Sequence, residues 1–189
     1  MIDTHAHLDA GPDPPEELVE RARAAGVRRI VAVGSGIESC RTTLEVAERH
    51  EGVFAALGIH PHQAGGDEAA RVRELRALLA GGRRAVAVGE TGLDFFRDYV
   101  PREAQQALFE RQLEVAAELR LPVVVHARAA DDATATALAD FDGTVVLHCF
   151  SSPGLLAVAL ERGYYVSFAG NVTYPNAADL RAAARAVPA

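Results

Sequence analysis

Seven short apolar runs, separated by longer amphipathic segments, are the feature that most limits what this chain can fold into. The runs are nearly continuous in Val, Ile, Ala and Leu, which is typical of parallel strands buried on both faces. The segments between them have helical spacing, as in the face formed by Leu18, Val19, Ala22 and Ala25. Repeated βα units predict an α/β fold, either a doubly wound sheet or a TIM (β/α)8-type barrel.

The same pattern predicts the boundaries of the elements. The predicted strands are residues 1–4, 28–33, 53–59, 84–89, 122–125, 144–147 and 164–168. The first helix is predicted to begin with Asp13 as N-cap, Pro14 in the first turn and Glu16 as capping-box acid, and to end before Gly26. The later helices are predicted at residues 37–50, 68–80, 102–119, 129–140, 153–161 and 176–186.

Side chains that bind metals follow five of the predicted strands. They are Glu90 and six of the seven histidines, namely His5, His7, His60, His62, His126 and His148. In a barrel all strand ends face one side, whereas an open sheet gathers only the ends beside its switch point. No G-x-G-x-x-G follows the first strand. The distribution of ligands therefore favours the barrel, with a metal site at its strand ends.

The length of the chain bears on the completeness of that barrel. We predict one domain, residues 1–189, because no linker or composition shift divides the chain. A TIM barrel needs eight strands and at least about 200 residues, whereas this chain supplies about seven βα units. We therefore expect a barrel domain that is incomplete at the C-terminus, with the eighth strand missing and the edges of strands one and seven exposed.

Charge and cysteine content limit partners and location. A net charge of −7 excludes a broad basic face, so contacts with nucleic acid must be local. All 19 basic residues are arginine, which excludes a Schiff-base lysine, a P-loop lysine and a metal-bridging carboxylated lysine. No apolar run approaches the roughly 18 residues of a membrane span. Cys40 and Cys149 are distant in sequence and fit a reduced, cytoplasmic protein without membrane association.

Five residues are the predicted metal ligands: His5, His7, Glu90, His126 and His148. The i, i+2 spacing of His5 and His7 at a strand end lets both imidazoles bind one ion. Glu90 is the candidate for bridging two cations, because no carboxylated lysine is available. His126 and His148 follow adjacent strands and indicate a second site. The set suffices for two divalent ions, which can activate water for a phosphoryl displacement.

The remaining candidates concern the substrate. We predict that His62 contacts substrate, as by binding a phosphate oxygen. Arg128 lies two residues beyond His126 and can bind an anionic group through two hydrogen bonds. For His60, a structural role and a functional role are both open.

These motifs resemble the TatD family of metal-dependent hydrolases, in order along the whole chain. The matching segments are Ile2-Asp3-Thr4-His5-Ala6-His7-Leu8-Asp9, Gly58-Ile59-His60-Pro61-His62, Gly89-Glu90-Thr91-Gly92-Leu93-Asp94-Phe95, Val125-His126-Ala127-Arg128, Leu147-His148-Cys149-Phe150-Ser151 and Ser167-Phe168-Ala169-Gly170. The resemblance implies a TIM barrel that acts mainly as a deoxyribonuclease. It also implies one metal on His5 and His7, a second on His126 and His148, and Glu90 as the catalytic bridging ligand; the metals are Mg, Mn or Zn.

Two departures from the family pattern qualify this expectation. Ser152 replaces the glycine usual after His-Cys-Phe-Ser, and the family's Glu-Thr-Asp motif on strand eight is absent from this sequence. We predict a metal-dependent deoxyribonuclease that cleaves phosphodiester bonds, weakly active or inactive as written. The alternatives are hydrolysis of small esters, amides or aminoacyl-tRNA, and an inactive fragment that retains only metal affinity.

Overall fold

The computed structural model describes residues 1–97 and 99–188. Seven parallel strands form one sheet in sequential order, β1 to β7. The strands are β1 Ile2–Ala6, β2 Arg29–Ser35, β3 Val53–Gly58, β4 Ala85–Asp94, β5 Val123–Arg128, β6 Val145–Leu147 and β7 Tyr165–Val166. The helices are α1 Pro15–Ala24, α2 Ile37–Arg49, α3 Val72–Gly81, α4 Arg102–Leu119, α5 Asp131–Ala137, α6 Leu156–Glu161 and α7 Ala178–Ala186. Four short 3₁₀ turns are Pro61–Gln63, Asp67–Arg71, Pro153–Leu155 and Gly170–Thr173.

The sheet curls into a half-barrel. In a flat sheet β1 and β6 would lie about 24 Å apart, five strand spacings of about 4.8 Å. Yet the ring of His5, in β1, stacks on the ring of His148, just after β6, at 3.5 Å between centroids. The predicted α/β fold of the TIM-barrel type, with about seven βα units, is therefore confirmed.

The core lies on both faces of the sheet, as the apolar runs require. The face towards the helices is the larger layer and includes Leu57, Leu75 and Phe109, all fully buried. A smaller layer inside the half-barrel consists of Val33, Ala56, Ala87 and Val124. Small side chains such as Ala56 and Ala87 let the strands curve closely around that interior.

Several predicted boundaries are wrong. Helix α1 begins at Pro15, and its N-cap is Pro14 without a side-chain hydrogen bond. Asp13 instead pairs with Arg21 at 2.6 Å, so neither the predicted Asp13 cap nor the capping box with Glu16 forms. Gly26 does follow the helix with a left-handed φ of +86°.

Other segments differ in length. Strand β4 continues to Asp94 rather than ending at residue 89, and β5 continues to Arg128. The predicted helix 68–80 begins as a 3₁₀ turn, and the predicted helix 129–140 shortens to Asp131–Ala137. Glu90 and His126 therefore lie within strands rather than after them. Within the described ranges, no helix has the length and apolarity needed to cross a membrane.

Candidate metal centre

The carboxylate of Glu90 lies at the centre of the predicted ligands. Glu90 is in the middle of β4 and is only 4% exposed. Its Oε2 atom lies 3.6 Å from Nε2 of His5 and 3.5 Å from Nε2 of His7. Its Oε1 atom lies 3.0 Å from Nδ1 of His126 and 3.3 Å from Nε2 of His148. The structure thus brings all five residues together, with two of the four predicted histidine ligands at each carboxylate oxygen.

Close packing of β4 against β5 positions the centre. Gly92 pairs with His126 across these strands and has a φ of +125°, a conformation that side chains other than glycine rarely adopt. A Cβ at Gly92 would lie 2.1 Å from the carbonyl oxygen of His126. Glycine is therefore required two residues after Glu90 so that the strand carrying His126 can approach.

The charge of the centre is set by burial and hydrogen bonding. Burial opposes ionisation of Glu90, but hydrogen bonds from the surrounding histidines outweigh it and hold the pKa of Glu90 below its ordinary value. Burial lowers the pKa of His5. Hydrogen bonding to Glu90 raises the pKa of His7, and for His126 the bond and charge of Glu90 outweigh burial and also raise the pKa. The centre therefore holds an anionic carboxylate that attracts positive charge.

The donor set fits a divalent cation. Neutral imidazoles and a carboxylate are the ligands that Zn²⁺ and similar ions take in proteins. The Nε2 atoms of His5 and His7 lie 3.2 Å apart and face the same carboxylate oxygen. By ligand-atom proximity, two triads could each hold an ion: His5, Glu90 and His148, and His60, Glu90 and His126. These triads differ from the predicted pairs, His5 with His7 and His126 with His148. The assignment of each histidine to an ion therefore stays a prediction.

His60, for which the sequence left two roles open, lies at this centre. Its Nε2 atom is 3.9 Å from Oε1 of Glu90, and its ring packs edge-on against His126 at 5.0 Å between centroids. Its Nδ1 atom accepts a hydrogen bond from the backbone N–H of His62 at 3.2 Å. Burial lowers the pKa of His60 to about 4, which keeps the ring neutral at pH 7. His60 therefore caps the 3₁₀ turn Pro61–Gln63 and also lies beside Glu90.

Asp94 is a site residue for which the sequence predicted no role. It ends β4, is 1% exposed, and its Oδ2 atom lies 3.0 Å from Nε2 of His62 and 3.2 Å from Nε2 of His126. Burial raises the pKa of Asp94, but hydrogen bonds from the backbone N–H of Arg97 and from His62 lower it overall. Its four-residue spacing from Glu90 along one strand places both carboxylates on the same face. This signal could not be used from the sequence, because the strand was predicted to end at residue 89.

The two predicted substrate residues lie beside the centre without touching Glu90. His62 is partly exposed and bonded to Asp94. Arg128 ends β5, and its guanidinium carbon lies 4.1 Å from the ring centroid of Phe96. Among the residues that the structure describes, the cation–π contact of the Arg128 guanidinium is this one with Phe96.

Two buried glutamines of α4 form hydrogen bonds with the backbone at the C-terminal ends of β3 and β4. Gln112 accepts from the N–H of Ile59 at 2.8 Å and donates to its carbonyl oxygen at 2.9 Å. Gln105 accepts from the N–H of Asp94 at 2.9 Å and donates to the carbonyl oxygens of Asp94 and Val100. These two glutamines therefore hold the backbone next to His60 and at Asp94. The sequence predicted only that both lie in a helix.

A cavity lies away from this centre. It has a volume of about 800 Å³ and lies at the opposite ends of the strands, where Arg23, Arg28, Arg29, Arg49 and Arg84 line it. Catalytic groups of barrel enzymes lie at the C-terminal ends of the strands. The convergence of ligands on Glu90, rather than cavity size, therefore identifies the candidate site.

Comparisons with known proteins agree with this geometry. A family model described as TatD related DNase matches residues 2–189. The uncharacterized metal-dependent hydrolase YabD of Bacillus subtilis is 34% identical over 197 residues, covering 100% of this chain and 76% of that protein. The 3′-5′ ssDNA/RNA exonuclease TatD of Cronobacter sakazakii is 39% identical over 185 residues, covering 92% of this chain and 68% of that protein.

A solved structure gives the same result for the fold. The crystal structure of YjjV, a TatD homologue from Escherichia coli K12, superposes with a TM-score of 0.88 at 34% identity, covering 100% of this chain and 75% of that one. The predicted resemblance and the predicted enzyme class, a TatD-type metal-dependent hydrolase, are confirmed. The chain belongs to the family of TatD related DNases.

Proposed function

We propose that this chain is a nuclease that uses two divalent metal ions to hydrolyse phosphodiester bonds of DNA. The observation that carries the proposal is the division of four histidines between the two oxygens of one buried carboxylate. Relatives named 3′-5′ ssDNA/RNA exonuclease TatD support a nucleic-acid substrate. Such a substrate also fits the predicted role of Arg128 in binding an anionic group.

The ligand sets follow the two oxygens of Glu90. The first ion would be held by His5, His7 and Oε2, and the second by His126, His148 and Oε1. Glu90, the predicted catalytic residue, would contribute one carboxylate oxygen to each ion. Because imidazoles outnumber carboxylates, Zn²⁺ and Mn²⁺ suit the set better than Mg²⁺.

The chain's other residues act on the substrate. When bound, two divalent ions supply activated water and stabilise the charge that develops on the phosphoryl oxygens. Arg128 binds a non-bridging phosphate oxygen through its planar guanidinium. His62 would contact the same phosphate, and Asp94 fixes the orientation of its ring from 3.0 Å.

Metal binding and turnover test the proposal together. The chain is stripped with a chelator, titrated with Mn²⁺, Zn²⁺ or Mg²⁺ by calorimetry, and assayed on a labelled single-stranded DNA. We expect about two ions per chain, weak hydrolysis that requires metal, and at least about 100-fold weaker metal binding in Glu90→Gln. His50→Ala is the matched control, because His50 ends α2 outside the centre. One ion per chain, or an unchanged affinity in Glu90→Gln, contradicts the two-ion site.

Parallel assays with other substrates test the substrate class. The same preparations are offered a small aryl ester, an amide and an aminoacyl-tRNA, the alternatives that the acidic net charge leaves open. The proposal expects metal-dependent cleavage of DNA to exceed cleavage of these substrates. Faster turnover of an ester or of aminoacyl-tRNA refutes the nuclease assignment while retaining the metal centre.

We also propose that the protein acts in the cytoplasm. Cys40 and Cys149 are both free thiols, as expected in a reducing compartment. Labelling of unfolded protein taken directly from cells tests this, and recovery of an oxidised Cys149 would contradict it.

A further inference from the structure

Two large aromatic side chains are exposed at the mouth of the metal centre. Phe96 is 60% exposed and Tyr99 is 65% exposed. Both lie in the loop between β4 and α4, two and five residues after Asp94. Rings that remain this exposed bury little apolar surface and so add little hydrophobic stability to the folded chain. We refer to Phe96 and Tyr99 as the aromatic rim.

Asp94 connects the aromatic rim to the metal centre. Its Oδ1 atom accepts hydrogen bonds from the backbone N–H groups of Phe96 at 3.1 Å and Arg97 at 2.9 Å. Its Oδ2 atom contacts His62 and His126 on the other side. Asp94 therefore holds the start of this loop beside the histidines that surround Glu90.

Cations and a histidine surround the rim. The guanidinium carbons of Arg128 and Arg97 lie 4.1 Å and 5.7 Å from the ring centroid of Phe96. The ring of Tyr99 packs edge-on against that of His62 at 4.9 Å between centroids. Aromatic faces combined with arginine are the elements with which proteins bind single-stranded nucleic acid.

A recess beside Tyr99 has room for a base. It has a volume of about 410 Å³, and its lining includes His62, Tyr99 and Val100 together with two acidic residues, Asp67 and Glu68. Ligand pockets for small molecules begin at about 300 Å³. The walls include the predicted phosphate-binding residue His62, so a nucleotide with its phosphate near His62 would have its base within reach of this recess.

We propose that the aromatic rim is a stacking surface for the bases of a single-stranded substrate, with Phe96 and Tyr99 as specificity-determining residues. The inference rests on the proposed nuclease function and deepens it. It explains how a chain with a net charge of −7 holds a polyanion. Stacking binds the uncharged faces of the bases, so only the phosphate at the metal centre needs strong positive charge.

The proposal predicts discrimination against duplex DNA. In a duplex the faces of the bases are covered by their neighbours, and unstacking costs a few kcal/mol per step. Bases of a single strand can reach Phe96 and Tyr99 without that cost. The rim is also sequence-tolerant, because every base has a stacking face.

An abasic strand separates stacking from phosphate binding. Two fluorescein-labelled hexamers with hydrolysis-resistant phosphorothioate linkages, one of thymidine and one of abasic residues, are titrated with the chain in Mn²⁺ by fluorescence anisotropy. Stacking of one base changes affinity by about 5- to 150-fold. We expect the wild-type chain to bind the thymidine strand tighter by such a factor, and Phe96→Ala and Tyr99→Ala each to reduce that factor.

Matched variants keep the outcome interpretable. Tyr165→Ala removes an equally exposed ring, 66% exposed, at the start of β7 on the opposite end of the sheet, and should change nothing. Tyr99→Phe should retain the preference. Equal binding of both strands by the wild-type chain, or an unchanged preference in Phe96→Ala and Tyr99→Ala, overturns the proposal. Failure of the nuclease function would be seen separately, as absence of metal-dependent hydrolysis of unmodified DNA.

Discussion

Replacing Gln105 by leucine should destabilise the chain far more than its position on a helix implies. Gln105 is 1% exposed on α4, and its side chain makes three hydrogen bonds to backbone groups of other segments. They are the N–H of Asp94 at 2.9 Å, the carbonyl oxygen of Asp94 at 3.1 Å and that of Val100 at 3.0 Å. Leucine has a similar volume, so the change removes the hydrogen bonds with little change in packing.

The size of the effect follows from these three groups. A buried backbone group that loses its partner costs about 1–3 kcal/mol, so three cost about 3–9 kcal/mol. Burying the apolar leucine side chain recovers about 2 kcal/mol. The free energy of unfolding should therefore fall by about 1–7 kcal/mol, out of the roughly 5–15 kcal/mol that a domain has.

Urea unfolding of the metal-free chain measures this difference. With a slope of about 2 kcal/mol per molar, a loss near 4 kcal/mol moves the midpoint by about 2 M. Gln106→Leu is the control, because Gln106 is the next residue of the same helix and is only partly buried. Its effect should stay within about 0.5 kcal/mol. If Gln105→Leu is no more destabilising than Gln106→Leu, the three hydrogen bonds do not hold the loop.

The other predictions concern the centre and the core. Gly92→Ala should prevent the native pairing of β4 with β5 and abolish cooperative melting, because the added Cβ would lie 2.1 Å from the carbonyl oxygen of His126. The control Gly81→Ala should melt like the wild type, because open space surrounds Gly81. Mn²⁺ at about 100 times its Kd should stabilise the chain by about 3 kcal/mol in thermal melts, and Glu90→Gln should show little of this shift. Burial raises the pKa of Cys40 to about 12 from 9.0, so its thiol should react with a disulfide reagent at pH 8 only after unfolding. As the pH rises, the thiol of the unfolded chain ionises before that of the folded chain, so Cys40 lowers the free energy of unfolding progressively between pH 9 and 12 and has no such effect below pH 9. Urea midpoints measured at several pH values check this. Reaction of the native thiol at pH 8 would contradict the burial of Cys40.

The sequence predicted elements well where local and tertiary preferences agree. Helix α4 has the predicted bounds, residues 102–119, because a long amphipathic run follows Pro101, which cannot lie inside a helix. The end of β4 was predicted wrongly because Gly89 and Gly92 are turn-forming residues. Residues Thr91 to Asp94 nevertheless extend the strand, since they pair with Val125 to Arg128 of β5. Pairing between distant segments outweighs local preference here.

The same distinction applies to the site. The convergence of Glu90 with its histidines was predictable, because parallel strand ends share one edge and strand alternation fixes the direction of each side chain. Asp94 had no predicted role, because a strand thought to end at residue 89 gives no reason to place it beside Glu90. The hydrogen bonds of Gln105 and Gln112 depend on the rotation of α4 against the sheet. That rotation is set by packing with the core and leaves no mark in the sequence near either residue.

Asp94 shows why binding and chemistry in this chain cannot be assigned to separate residues. One oxygen orients His62 and His126, and the other holds the N–H groups from which the rim residue Phe96 extends. Gln105 in turn fixes the backbone of Asp94 from below. Displacing this buried carboxylate would move a predicted metal ligand, a predicted phosphate ligand and an exposed ring together. Loss of activity on changing Asp94 is therefore no proof that Asp94 binds metal, because the same loss follows if it only positions its neighbours.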